Sequence, residues 1–298
     1  MNLLKIFSLY FIVFFNTAVS AQGNFQQAEM ELAYHCDVMV NAAESRHRLQ
    51  AMEKFNEVFY KTLEQKGSFL HTFDSLKWIS KKYPDDKSFR IFTWEVKGTE
   101  GEIFYFGAIQ TNKDQLYILK DDLRNAESLA DEEFSHENWP GALYYHVMDV
   151  KGQKGEKYYL LFGLHRWNRY ENIKMAEVLF FTPEGVPYFG KPVFKKSEKG
   201  QQDVFYHRLV YKYASDAQMT INYNPGMQMI MIDHLVRKMS RIPGQGETMV
   251  PDGTYIGYQP ENGIWTYIDK IVTEVMDTAP RPNPVLDNRK GKKIFGNK

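Results

Sequence analysis

Histidines are the residues of this chain best suited to acid–base or metal chemistry. It has eight, of which His146, His165, His207 and His234 sit on or beside segments patterned as strands. Asp233 directly precedes His234, and the Gly- and Pro-containing loop that follows, 237–252, ends at Asp252. An aspartate beside a histidine can orient imidazole as a general base. A strand end that feeds a long loop is also a place where sites collect. His165, Asp233, His234 and Asp252 are therefore the catalytic candidates for a hydrolase or metal-dependent enzyme. Two features count against that class. Adjacent strand residues point to opposite faces, so Asp233 and His234 need a bend to cooperate. The sequence also lacks a Gly-x-Ser-x-Gly elbow, His-x-His and His-Glu-x-x-His. No metal and no other cofactor is expected.

The richest recognition text is His165-Arg166-Trp167-Asn168-Arg169-Tyr170. Guanidinium groups among aromatic rings suit a sugar, a carboxylate or a protein surface, which makes Arg166, Trp167, Arg169 and Tyr170 the binding candidates. Met227, Met229 and Met231 alternate and would line one strand face, where core packing is a better account than a copper site. Gly244-Gln245-Gly246 lacks the lysine and following helix of a phosphate loop, so it reads as a plain loop.

The elements that must position these residues can be read in outline. Residues 1–21 carry Lys5, an apolar run and Ala18-Val19-Ser20-Ala21, the layout of a secretory signal peptide. No later stretch is long and apolar enough to span a bilayer. Residues 22–84 form a helical segment: Leu32, Cys36, Met39 and Ala43 recur at helix spacing, and Leu49, Met52, Phe55, Phe59 and Leu63 form a second stripe out of phase near Ser45. Two helices, or one kinked helix, ending at Gly67 are expected, then a short helix over 75–82. Cys36 is the only cysteine, which excludes an internal disulfide, and its apolar neighbours predict a buried thiol. Basic and acidic residues balance at 37 each, which argues against nucleic acid as a partner.

From residue 85 to 277 the period changes to two, and about twelve strands joined by short loops predict one large antiparallel β domain. So many strands must curl into a barrel-like meander, split into a sandwich or divide into propeller-like blades. Two hairpins share a text: Val96-Lys97-Gly98 and Val150-Lys151-Gly152 are each followed two residues later by Gly-Glu, at an offset of 150 − 96 = 54 residues. Their glycines, lysines and glutamates suit solvated turns, so the hairpins read as scaffold, and specificity is expected where the copies diverge after Phe-Gly. Residues 278–298 are a basic, Pro-containing tail.

RIFTWEV, FGAIQ, NWPGALYY, LLFG, DHL, GQG, PDGTYIGY and GIWTYID, taken together, resemble a family of uncharacterised exported proteins of Bacteroidetes. The resemblance runs from about residue 70 to the C-terminus and implies a periplasmic or cell-surface setting, with no catalytic residue transferred. The expectation is a non-enzymatic envelope module that binds a protein or a glycan through its aromatic, loop-rich rim.

Overall fold

A computed structural model describes residues 25–122, 128–152, 155–197 and 200–271. The segment expected to be a signal peptide, residues 1–21, and the basic tail, residues 278–298, lie outside the described residues. The fold is mainly β, with two helices at the N-terminus followed by stacked, largely antiparallel sheets that do not close into a barrel.

Helix α1 covers 25–41 and α2 covers Ser45–Leu63, so the phase slip near Ser45 is a real break. No helix forms over 75–82; that stretch is irregular and ends in strand β1, Ser80–Lys82. Its apolar residues, Leu76 and Ile79, are instead buried beneath the two helices. The first sheet continues with β2 (Phe89–Lys97), β3 (Ile103–Thr111) and β4 (Leu116–Lys120), in the order β1-β2-β3-β4.

The middle sheet contains β5 (Phe134–Ser135), β6 (Leu143–Lys151), β7 (Lys157–Arg166), β8 (Glu171–Phe181), β9 (Pro187–Phe189) and β12 (Arg208–Ala214). Strand β12 pairs with β8 over Glu171–Glu177, and β9 pairs with the same strand over Leu179–Phe181. The third sheet holds β10 (Phe194–Lys196), β11 (Val204–Tyr206), β13 (Ile221–Asn224), β14 (Met229–Met239), β15 (Glu247–Glu261) and β16 (Ile264–Ile268). One pair there, β10 with β16, is parallel. The long intervening chain permits this, whereas a short hairpin loop would not.

Alternation along the strands sorts the side chains into three cores. Phe92, Trp94, Val96 and Ala108 face Leu32, Cys36, Phe55 and Phe59 of the helices. Phe89, Ile91, Tyr105 and Ile109 face Leu161, Ile173, Met175 and Leu179 of the middle sheet. Leu160, Phe162, Ala176 and Val178 face Ile230, Ile232, Ile256 and Trp265 of the third sheet. The middle sheet is therefore buried on both faces, which accounts for the nearly unbroken apolar run of β7.

The shared text forms two hairpins in the same register, one in each of two stacked sheets. Val96 pairs with Phe104 and Val150 with Tyr158, both offsets being 54 (150 − 96 and 158 − 104). Gly98 N–H donates to Glu102 O and Gly152 N–H to Glu156 O. Gly101 and Gly155 take left-handed φ values of 92° and 80°. The correspondence stops before Phe-Gly. Gly107 pairs with Thr93, but Gly163 lies two residues further along and pairs with Tyr144 across a bulge between Tyr144 and His146.

Two buried polar networks lock the layers. Arg90 is fully buried; its guanidinium donates to Gln110 Oε1 (2.8 Å), Ser68 O (2.7 Å) and His71 O (2.6 Å), while Gln110 Nε2 donates to Leu63 O (2.8 Å). Arg90 thus ties the first sheet to the turn after α2, and Gln110 ties it to the last carbonyl of α2 itself. Deeper still, Arg208 Nε donates to Glu177 Oε2 at 2.6 Å with both side chains wholly buried. Tyr144 donates its hydroxyl proton to Glu177, Trp139 Nε1–H donates to Tyr144 (2.8 Å), and Arg208 donates to the carbonyl of Leu129.

Breaking one side of a buried pair strands the other charge, at a cost of about 3–5 kcal/mol. Glu177→Ala is expected to destabilise by that amount in urea unfolding. Glu177→Leu combined with Arg208→Met should cost clearly less than the two single changes added. Additive costs would show that the pair is uncoupled.

Candidate functional site

A cleft of about 630 Å³ opens where the helices, the first sheet and the β7–β8 end of the middle sheet meet. Helix α1 contributes Met39 and Val40, the stretch before β1 contributes Trp78, and the end of β2 contributes Glu95 and Lys97. The opposite wall is the β7–β8 turn with Arg166, Trp167, Asn168 and Arg169, backed by Asn172 and Ser215.

Each wall is fixed from behind. Arg166 Nε donates to Glu95 Oε1 at 2.6 Å, an ion pair that crosses from the middle sheet to the first. Arg166 N–H donates to Tyr105 Oη at 2.6 Å, and Tyr105 stacks on His165 with ring centroids 4.5 Å apart. Burial, with Glu95 next in importance, pushes the Tyr105 hydroxyl well above its usual range, so it stays a neutral phenol. The half-buried Trp167 ring has the His165 ring tilted against it at 5.9 Å and the Lys212 ammonium 5.7 Å from its centroid. Asn168 Oδ1 accepts N–H from Tyr170 (2.7 Å) and Glu171 (2.9 Å), which holds the turn. On the facing wall the Trp78 indole is 51 % exposed, and its Nε1–H donates to Asp37 Oδ1 at 3.1 Å.

The cations of the cleft fall into two kinds. Arg48 is spent on carbonyls, donating to Ala42 O (2.8 Å), Ala43 O (2.9 Å) and Lys97 O (2.9 Å), and Arg166 is matched by Glu95. Lys97 and Arg169 are exposed and form no ion pair among the described residues; Arg169 lies over the Tyr170 ring at 4.3 Å. Glu102 lines the turn side, its carboxylate accepting N–H from Thr99 (3.2 Å) and Glu100 (2.7 Å), and hydrogen bonds from backbone N–H groups hold its pKa below the usual carboxylate value.

Of the four binding candidates, Arg166, Trp167 and Arg169 line this cleft, and Tyr170 does not. The Tyr170 backbone is an anchor: its carbonyl accepts from Ser215 N–H (2.7 Å) and Gln245 Nε2 (3.1 Å). Trp78, Lys97, Glu95 and Arg48 were not singled out by sequence reasoning. Trp78 fell in a stretch patterned as helix, and the others lie in text that reads as a hairpin tip or a helix face.

The catalytic candidates divide between sheets. His165 is 6 % exposed on β7, with Nδ1 2.8 Å from Gly141 O, so the ring is a donor to a carbonyl and a stacking partner for Tyr105. Burial lowers its pKa, which keeps it neutral. On β14 the register slips between Asp233 and Leu235. Asp233 Oδ2 there accepts Thr220 N–H at 2.6 Å and is not joined to His234. His234 Nδ1 lies 2.9 Å from Asp252 Oδ2 on the exposed β14–β15 arm. The Thr254 backbone N–H first, then the His234 hydrogen bond, pull Asp252 down to about 2. Neither His234 nor Asp252 lines the large cleft, and Asp233 borders a separate shallow one. Among the described residues no three His, Cys, Asp or Glu side chains gather as a metal site. Cys36 is fully buried, and burial pushes its thiol up to about 11, which leaves it unreactive.

Comparison with family models, with curated proteins and with solved structures finds no match.

The neutrality of His165 has a pH consequence. Its folded pKa is below 6.5, so as pH falls through 6.5 the unfolded chain takes up the proton first and stability declines until the folded ring also titrates. His165→Gln, which keeps a donor for Gly141 O, is expected to flatten this part of the curve. Melting temperatures between about pH 8 and 5 measure it. Equal acid sensitivity in both proteins would contradict the assignment.

Proposed function

We propose that this chain is a non-enzymatic binding protein of the bacterial envelope, exported by residues 1–21, which holds a segment of a protein or a glycan in the cleft between Trp78 and Trp167. One observation carries the reading: two indoles line the same cleft together with Lys97 and Arg169, exposed cations that form no ion pair among the described residues. Aromatic and arginine side chains in a concave site supply the largest contributions to recognition. The resemblance to exported Bacteroidetes proteins supports the periplasmic or cell-surface setting.

The hydrolase reading keeps one supporting observation, the His234–Asp252 pair at 2.9 Å. It has the geometry of an oriented base. The nearby hydroxyl that meets Asp252, Thr254 Oγ1 at 2.8 Å, is a donor to the carboxylate and not a nucleophile poised on the imidazole. The pair also lies on an open arm and not in a closed cleft that could exclude water from a reaction.

The test is retention of the mature chain on solubilised protein and polysaccharide fractions of its own envelope. Wild type should be retained. Replacing Trp167 and Arg169 together by Ala should weaken retention at least tenfold, about 1.4 kcal/mol, while His234→Ala leaves it unchanged. A double variant that binds like wild type would overturn the reading.

A further inference from the structure

The chemistry of the cleft narrows the ligand further, on the assumption that the binding reading above holds. Several backbone polar groups in and beside it are already used inside the protein. Arg48 occupies the carbonyls of Ala42, Ala43 and Lys97. On the other wall Trp167 N–H and Asn168 N–H donate to Glu171 O, Tyr170 N–H and Glu171 N–H donate to Asn168 Oδ1, and Arg169 O accepts from Ser215 Oγ. An extended peptide that adds to a sheet is held mainly by main-chain hydrogen bonds. These walls offer it few such groups, so recognition must come from side chains.

The side chains present are of two chemistries. Trp78 and Trp167 offer indole surface, and the C–H face of a sugar ring is an apolar plane that packs on such a surface while its hydroxyls stay wet. The charged groups lining the cleft are Arg48, Lys97, Arg166 and Arg169 against Glu95 and Glu102, a balance of 4 − 2 = +2. The whole chain has a net charge of zero. Arg166 is paired with Glu95, which leaves Arg48, Lys97 and Arg169 against Glu102; the donors of Arg48 are used on carbonyls, so the cations open to a ligand are Lys97 of one wall and Arg169 of the other. Both are exposed, and a guanidinium holds a carboxylate by donating two parallel hydrogen bonds to it.

We infer that the cleft takes a carboxylate-bearing glycan, with sugar rings on Trp78 and Trp167 and carboxylates on Lys97 and Arg169. Glu102 on the turn side disfavours a continuous run of negative charge, so spaced carboxylates on a polyol fit better than an acidic peptide.

Calorimetric titration of the mature chain with three probes tests this: trigalacturonate, the neutral galactose trimer, and a hexapeptide of alternating Asp and Gly. Trigalacturonate is expected to bind at least tenfold more tightly than the neutral trimer and to weaken with added salt. Lys97→Ala with Arg169→Ala should reduce that preference to about one, and Trp78→Ala should weaken both sugars. Equal binding of the two sugars by wild type overturns the acidic assignment and leaves the binding reading standing. Tighter binding of the peptide overturns the glycan class. If no probe binds but envelope retention still depends on Trp167 and Arg169, the inference fails alone. If retention does not depend on them either, both fail.

Discussion

The middle sheet has no solvent face, and the other parts of the molecule are arranged to suit that constraint. Leu160, Phe162, Ala176 and Val178 pack on the third sheet, and Leu161, Ile173, Met175 and Leu179 pack on the first. Any polar group placed within it must therefore find its partner inside the protein. Glu177 and Arg208 do so from neighbouring strands, with Tyr144 and Trp139 joined to Glu177; of the Arg208 donors, Nη2 alone has no hydrogen-bond partner among the described residues. Chemistry that needs water or a ligand is confined to strand ends and turns. The cleft lies at such an end, where β7 leaves the core and its last residue, Arg166, and the Trp167 that follows reach the cleft wall.

The paired hairpins show how one text can serve two positions. Both copies have the same register and the same left-handed glycine, so the turn itself is common scaffold. Beyond it the first copy stays internal: Gln110 reaches the end of α2 and Ile109 enters the core. The second copy slips by two residues at Phe-Gly and runs on to the cleft wall. Gly163 permits this course, because a Cβ there would stand 3.1 Å from the Tyr144 ring and 3.2 Å from Ala142. The two copies are bridged at the cleft by Glu95 of one hairpin strand and Arg166 of the other.

Much of this was legible in the sequence, for definable reasons. The helical stripes, their slip near Ser45 and the change to period two reflect one-sided burial, which leaves a periodic trace. Strand count and stacking were less visible. Short strands such as β5, β9 and β10 span two or three residues, too few to show alternation. The short helix expected over 75–82 failed because Leu76 and Ile79 are held by tertiary packing on the helices and not by helical periodicity. Arg166, Trp167 and Arg169 stood out as a cluster of cations and rings. Trp78 and Lys97 join them only through the stacking of α1 and the first sheet beside β7, a long-range arrangement that local text does not encode. His165 looked like chemistry in the sequence; in the fold its donor goes to Gly141 O and its face to Tyr105.

The five tryptophans provide the most direct test of the central claim that the Trp78–Trp167 cleft is the binding site. Trp94, Trp139 and Trp265 are buried to 2 % exposure or less and serve as internal controls. Indole N–H resonances of the chain from residue 22 onward, followed in a ¹H–¹⁵N spectrum during titration with trigalacturonate, report on each ring separately. The account predicts that the Trp78 and Trp167 signals move together and saturably while the three buried indoles stay in place. Saturable binding that leaves Trp78 and Trp167 unmoved, or that shifts instead the ring signals of His234, would contradict it.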